Sequence, residues 1–135
     1  MELFGLGVIK LTSTMYKLEK EIKFEAAHVL PNHDGKCGRL HGHSWRAMII
    51  LESQTLHTEG PKAGMVFDFG DVSKAAKPLL DDALDHHYLN ETTGLENPTS
   101  EALARFIFDK LKSSLPLLAA VRVFETCTSS CEYRP

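Results

Sequence analysis

His41 and His43 stand two residues apart in a stretch that reads as a β-strand, so both imidazoles point to one face of it. That face continues through Trp45, Ala47, Ile49 and Leu51. His28 shares the parity of Ile22, Phe24 and Ala26 in an earlier strand-like stretch, and it closes that strand's inward face. If the two strands pair, three imidazoles converge at one end of a sheet. Three neutral imidazoles with one open position form the donor set of a catalytic zinc site. A His-x-His spacing is a short signal, and the alternative is a surface hairpin at His41-Gly42-His43 with an ordinary core histidine at His28.

Cys37 lies four residues before His41, in a loop that also holds Lys36. Beside a divalent cation and an ammonium group, a thiol gives up its proton readily and can act as base or nucleophile. It can equally complete a closed, structural four-ligand site, or be an inert loop thiol. Asp85-His86-His87 puts a carboxylate next to an imidazole, a pair suited to proton transfer near neutral pH. The other reading is a helix end, where a histidine cation favours the dipole. Glu125 has the parity of Val121 and Val123, so it points inward and needs donors. The paired N–H groups of a pterin or guanine edge would satisfy it, as would a core-facing arginine. Cys127, Cys131, His33 and His57 read as loop residues without a ligand role.

The elements that must position these residues follow from the patterning. Leu18, Ile22, Phe24 and Ala26 fall on one parity, with Lys20 the exception; Lys17, Glu19, Glu21, Lys23 and Glu25 fall on the other. Pro31–Arg39 is a polar loop. His41–Glu52 is a second strand with apolar residues on both parities, so both of its faces are expected to be covered. Met65, Phe67 and Phe69 alternate and predict a short third strand. Asp71 is placed as the cap of a helix reaching about Ala83, with Pro78 forcing a kink or a late start. Asn97-Pro98 reads as the cap and first turn of a second helix, whose apolar stripe is Leu103, Phe106, Ile107 and Leu111. Pro116 ends that stretch, and Val121 and Val123 begin a last strand carrying Glu125. The order β-β-β-α-α-β predicts an α+β fold with helices on one face of the sheet.

Its 135 residues are enough for one domain, spanning residues 1–135. Lys and Arg number 15 against 18 Asp and Glu, a net charge of −3, which argues against a protein that wraps nucleic acid. No apolar run nears the ~18 residues of a membrane span. Leu3–Leu11 lacks the basic lead and cleavage site of a signal peptide. Three cysteines, an odd number, do not suggest a disulfide framework and point to a reducing cytoplasm.

Five motifs together resemble the 6-pyruvoyltetrahydropterin synthase family. They are Phe24-Glu-Ala-Ala-His28, Cys37-Gly-Arg-Leu-His41-Gly-His43, Leu84-Asp-His-His-Tyr-Leu-Asn90, Gly94-Leu-Glu-Asn-Pro-Thr-Ser-Glu101 and Glu125-Thr-Cys-Thr128. The resemblance runs from about Tyr16 to Arg134, and the short spacing from Cys37 to His41 favours the bacterial QueD branch, which makes 6-carboxy-5,6,7,8-tetrahydropterin. It implies zinc held by His28, His41 and His43, a catalytic cysteine at Cys37, and a proton-transferring pair at Asp85 and His86. It further implies a pterin-anchoring glutamate at Glu125 that joins the proton relay, with Thr99 and Ser100 lining the pterin pocket. The implied fold is a T-fold: an antiparallel four-stranded sheet with two helices packed on one face. Subunits of this type close barrels as trimers and stack as hexamers, with active sites between subunits. Met1–Met15 finds no counterpart and reads as an extension or an upstream start.

The implied reaction starts from 7,8-dihydroneopterin triphosphate. Zinc acidifies C–H and O–H bonds in the three-carbon tail of the substrate, Cys37 takes one proton, and His86, held by Asp85, moves another. Triphosphate leaves, and in the QueD branch the tail is cleaved to acetaldehyde and 6-carboxytetrahydropterin. Lys36 and Arg39 are the cations offered to the triphosphate. Two alternatives stay open: a pyruvoyl enzyme that stops after triphosphate elimination, and a non-catalytic protein that binds a pterin or purine around structural zinc.

Overall fold

The computed structural model describes residues 14–135, so the expected extension lies almost wholly outside the described residues. The protein opens with two long strands, β1 (Tyr16–His28) and β2 (His41–Ser53). Then follow α1 (Phe69–Leu79), the two-residue β3 (His87–Tyr88), the single turn α2 (Leu89–Thr92) and α3 (Ser100–Leu111). A hairpin of β4 (Leu118–Thr126) and β5 (Ser129–Tyr133) ends it. The sheet order is β3-β1-β2-β4-β5, and no helix among the described residues is long and apolar enough to cross a membrane.

Burial along β1 follows the alternation in the sequence. Ile22, Phe24, Ala26 and His28 are buried, while Lys23 and Glu25 are exposed. Antiparallel pairing sets Phe24 opposite Trp45 and His28 opposite His41. Phe24 and Trp45 stack with ring centroids 6.0 Å apart and planes 5° from parallel. The indole N–H donates to the Ala26 carbonyl at 3.1 Å, so the one polar atom of this buried ring is satisfied. β2 is buried on both parities over Ile49, Ile50 and Leu51, as its composition predicts. On the core face, Val72 and Ala76 of α1 and Leu103, Ile107 and Leu111 of α3 join Phe24, Trp45, Ile49 and Val121 in one apolar cluster. Burying each large side chain of this set contributes roughly 1.5–3 kcal/mol.

The structure corrects the expected elements in four places. The antiparallel four-stranded sheet is present as β1-β2-β4-β5, but parallel pairing of β3 with Ala26 and Ala27 makes the whole sheet five-stranded and mixed. Met65–Phe69 is not its third strand. Val66 is buried there while Met65 and Phe69 are exposed, the reverse of the apolar alternation. Gly60 and Gly64, both at positive φ, turn this segment so that His57 pairs with Gly64 and Met65 through the backbone.

α1 starts at Asp68, whose carboxylate accepts the Gly70 N–H at 2.8 Å, and Asp71 lies in its first turn. Lys62 joins both carboxylates and fastens that helix start to the preceding loop. Pro78, with no N–H for the helix ladder, sits near the helix end, after which the backbone widens into a π-type turn over Leu80–Leu84. α3 is capped by Thr99, whose hydroxyl accepts the Ala102 N–H at 3.1 Å, and not by Asn97; Pro98 precedes the cap.

Candidate active site

The β1–β2 register places His28 directly across from His41 and Ala26 across from His43, so the three imidazoles gather at the sheet end. Their ring centroids lie 4.5, 5.2 and 4.9 Å apart for the pairs His28–His41, His28–His43 and His41–His43. One nitrogen from each ring falls within 4.8 Å of the other two. Trp45 packs its edge on His28 and His43, with centroid distances of 5.0 and 5.1 Å, and forms the apolar floor.

Backbone carbonyls fix two of the rings. His28 Nδ1 lies 2.9 Å from the Pro98 carbonyl, and His41 Nδ1 lies 2.6 Å from the Arg39 carbonyl. A carbonyl only accepts, so each Nδ1 carries the proton and each neutral ring offers a bare Nε2. Those two Nε2 atoms are 2.9 Å apart. His43 Nε2 is buried with no hydrogen-bond partner among the described residues. Burial holds the His28 and His43 imidazoles below the usual histidine range, which favours their neutral, ligating form. Glu125 Oε2 stands 3.4 Å from His28 Nε2 and 3.5 Å from His43 Nε2. Bare imidazole nitrogens this close repel one another unless a cation joins them, and among the described residues the converging donors are the three imidazoles. The donor set therefore fits a divalent metal ion, and three imidazoles suit zinc among others.

Glu125 thus turns inward as its parity predicts, toward imidazoles and not toward an arginine. Along β2 and β4 the register runs only as far as Arg46 opposite Phe124. Beyond it a cleft of about 530 Å³ opens between the strand ends, lined by His43, Ser44, Glu125, Thr126 and Cys127 among others. A second, more apolar cavity of about 350 Å³ lies by Tyr16, Leu18 and Phe67 and contains none of the expected site residues.

The other expected residues lie outside the imidazole trio. Cys37 sits in a tight turn over Lys36–Gly38, where its carbonyl accepts the Leu30 N–H at 3.0 Å. Its thiol stands outside the group of converging donor atoms. Lys36 and Arg39 are exposed beside it. Asp85 Oδ2 lies 3.0 Å from His86 Nδ1, while Asp85 Oδ1 accepts the Glu25 N–H at 2.8 Å. These two bonds, the Glu25 N–H first, hold the Asp85 carboxyl below its usual range. The His86 N–H donates in turn to the Glu25 carbonyl at 2.6 Å, and His86 takes a left-handed backbone at φ 61°. The His86 side chain is 79% exposed, whereas that of His28 is fully buried. Thr99 caps α3 immediately after Pro98, and Ser100 is the first residue of that helix.

Sequence patterning did not single out the carbonyls of Pro98 and Arg39, which select the imidazole tautomers. It also passed over Asn90, whose side chain grips the backbone next to His28. The only signal for it was that Asn90 closes the Leu84–Asn90 motif.

The 6-pyruvoyl tetrahydropterin synthase family model matches residues 17–135. A 6-carboxy-5,6,7,8-tetrahydropterin synthase of Synechocystis is 51% identical over 120 residues, covering 88% of this chain and 93% of the relative. One of Haemophilus influenzae is 35% identical over 141 residues, covering 89% and 99%. Among solved structures, 6-pyruvoyl tetrahydropterin synthase of Caenorhabditis elegans superposes with a TM-score of 0.77 at 27% identity, covering 93% of this chain and 99% of that one.

Proposed function

The chain belongs to the 6-pyruvoyl tetrahydropterin synthase family, and we propose that it is a 6-carboxy-5,6,7,8-tetrahydropterin synthase. In this reading it is a zinc-dependent lyase that converts 7,8-dihydroneopterin triphosphate to 6-carboxytetrahydropterin, acetaldehyde and triphosphate. That reaction belongs to queuosine biosynthesis in the cytoplasm. The observation that carries the reading is the 51% identity to the Synechocystis relative across 88% of this chain.

His28, His41 and His43 hold the ion. When bound, a divalent ion supplies Lewis acidity to hydroxyl and carbonyl oxygens of the substrate tail. Glu125 anchors the N–H edge of the pterin in the cleft beside His43, with Thr99 and Ser100 near the α3 start. Cys37 takes a proton from the tail. Asp85 orients His86 through Nδ1, so that Nε2 of that ring gives or takes the second proton.

Exposure of His86 supports a site completed by another copy of the protein, in a hexamer built as a dimer of trimers. The short β3 supports the same reading. It pairs only with Ala26 and Ala27, so among the described residues most of that edge of β1 is left for a neighbouring strand.

Purified protein given 7,8-dihydroneopterin triphosphate tests the proposal by mass spectrometry of its products. Acetaldehyde and 6-carboxytetrahydropterin are expected. A pyruvoyl product without acetaldehyde would assign the protein to the elimination-only reaction, and unchanged substrate would leave a pterin-binding protein.

A further inference from the structure

β3 is too short to pair the whole end of β1. It meets Ala26 and Ala27 and stops at Tyr88. Side chains take over on either side of it. Before β3, the Asp85 carboxylate accepts the Glu25 N–H. After β3, Asn90 does the same work for Val29, the residue that follows His28. Asn90 Oδ1 accepts the Val29 N–H at 2.9 Å, and Nδ2 donates to the Val29 carbonyl at 2.8 Å. A primary amide carries the same donor and acceptor as a peptide group, so Asn90 stands in for a further strand residue. Nδ2 also reaches the Glu96 carbonyl at 3.4 Å. Glu96 lies two residues before Pro98, whose carbonyl fixes Nδ1 of His28.

We propose that Asn90 is the positioning residue of His28. Its one amide ties together the backbone that carries the imidazole and the loop whose carbonyl sets that imidazole's tautomer. Without it, Val29 loses both partners where β1 leaves the sheet, and the Glu96–Pro98 loop loses its tether to α2. The ring then turns, and its bare Nε2 no longer aims at His41 and His43. Outer-shell partners of metal-bound histidines are worth about 10–100-fold in metal affinity, and that is the effect expected here.

Asn90's role toward an ion rests on reading the trio as an ion site, so the test separates the two. Full-length wild type, Asn90→Ala, Asn90→Asp and Thr92→Ala are stripped of metal and titrated with cobalt(II) against a chromophoric chelator. Thr92 serves as the control, because its hydroxyl bonds the Ala83 and Tyr88 carbonyls from the same turn and makes no hydrogen bond to Val29 or the Glu96–Pro98 loop among the described residues. Both Asn90 variants are expected to bind cobalt about 10–100-fold more weakly with shifted visible absorption bands, and Thr92→Ala to match wild type. In the metal-free proteins, the His28 Nδ1–H proton resonance is expected to be protected from exchange in wild type and Thr92→Ala and to be lost in the Asn90 variants. Wild-type cobalt affinity, bands and Nδ1–H protection in both Asn90 variants would overturn the proposal, as would equal losses in Thr92→Ala. If wild type takes up no cobalt, the ion reading falls, and the imidazole resonance still decides the role of Asn90. Should Asn90→Ala fail to fold, Asn90→Asp, equal in size and retaining the acceptor for Val29, carries the same expectations.

Discussion

His28 and His41 face each other with their Nε2 atoms 2.9 Å apart, while each ring's Nδ1 is committed to a carbonyl. In neutral rings this is a contact between lone pairs, and an ion between them relieves it. Purified protein is therefore expected to carry one divalent ion per protomer by elemental analysis, and His41→Ala to lose it. Ion present at a thousand times its Kd should stabilise the fold by about 4 kcal/mol, seen as a higher melting temperature after reloading the stripped protein. A melting temperature unmoved by zinc, cobalt or nickel would rule out ion binding by the trio.

Cys37 stands outside the cluster of donors. Cys37→Ala is expected to fold, to keep its ion, and to lose about 10²–10⁴-fold in turnover, the range for removing a positioned proton acceptor. Elemental analysis alongside the rate measurement checks this. Loss of the ion together with the thiol would make Cys37 a ligand and the site a closed one.

The Asp85 carboxyl is held below its usual range, first by the Glu25 N–H and then by His86. A carboxyl with a depressed folded-state pKa stabilises the fold above its unfolded value, and that contribution fades as the pH falls through the lower, folded one. Asp85→Asn should therefore flatten the dependence of melting temperature on pH in the acid range and sharply reduce activity near neutrality. Parallel acid titrations of wild type and variant that stay superimposable would contradict this assignment.

Trp45 is fully buried, stacked on Phe24 and bonded to the Ala26 carbonyl. Trp45→Ala should cost about 3–5 kcal/mol through the cavity it leaves. Trp45→Phe keeps most of the packing but removes the indole hydrogen bond to the Ala26 carbonyl, for about 0.5–1.5 kcal/mol. Urea unfolding followed by circular dichroism measures both. Because Trp45 also floors the trio, Trp45→Ala should weaken ion binding more than its loss of stability alone accounts for.

Alternation broken only at Lys20 made β1 legible, an apolar run on both parities did the same for β2, and with them came the convergence of His28, His41 and His43. Leu103, Ile107 and Leu111 of the helix stripe were legible from the helical period, whereas Phe106 of that stripe is only partly buried and Phe108, off the stripe, is buried. Met65–Phe69 misled because three apolar residues alternate by chance in a loop that glycines at positive φ turn back on His57. β5 was hidden because its first residues, Ser129 and Ser130, are exposed and carry no apolar signal. The cap of α1 was placed three residues late because Asp68 and Asp71 offer the same chemistry, and only backbone geometry chooses between them. What selects the tautomers of the trio is backbone oxygen, which every residue has and no sequence pattern marks.

The sole tryptophan of the protein lies edge-on to two of the three imidazoles, about 5 Å from each. Its emission is thus an unlabelled optical gauge of the pocket: a coloured ion such as cobalt or copper seated among those rings quenches the indole at contact range, while zinc, being colourless, does not. Loading, exchange and displacement can be timed in a stopped-flow cuvette without touching the protein.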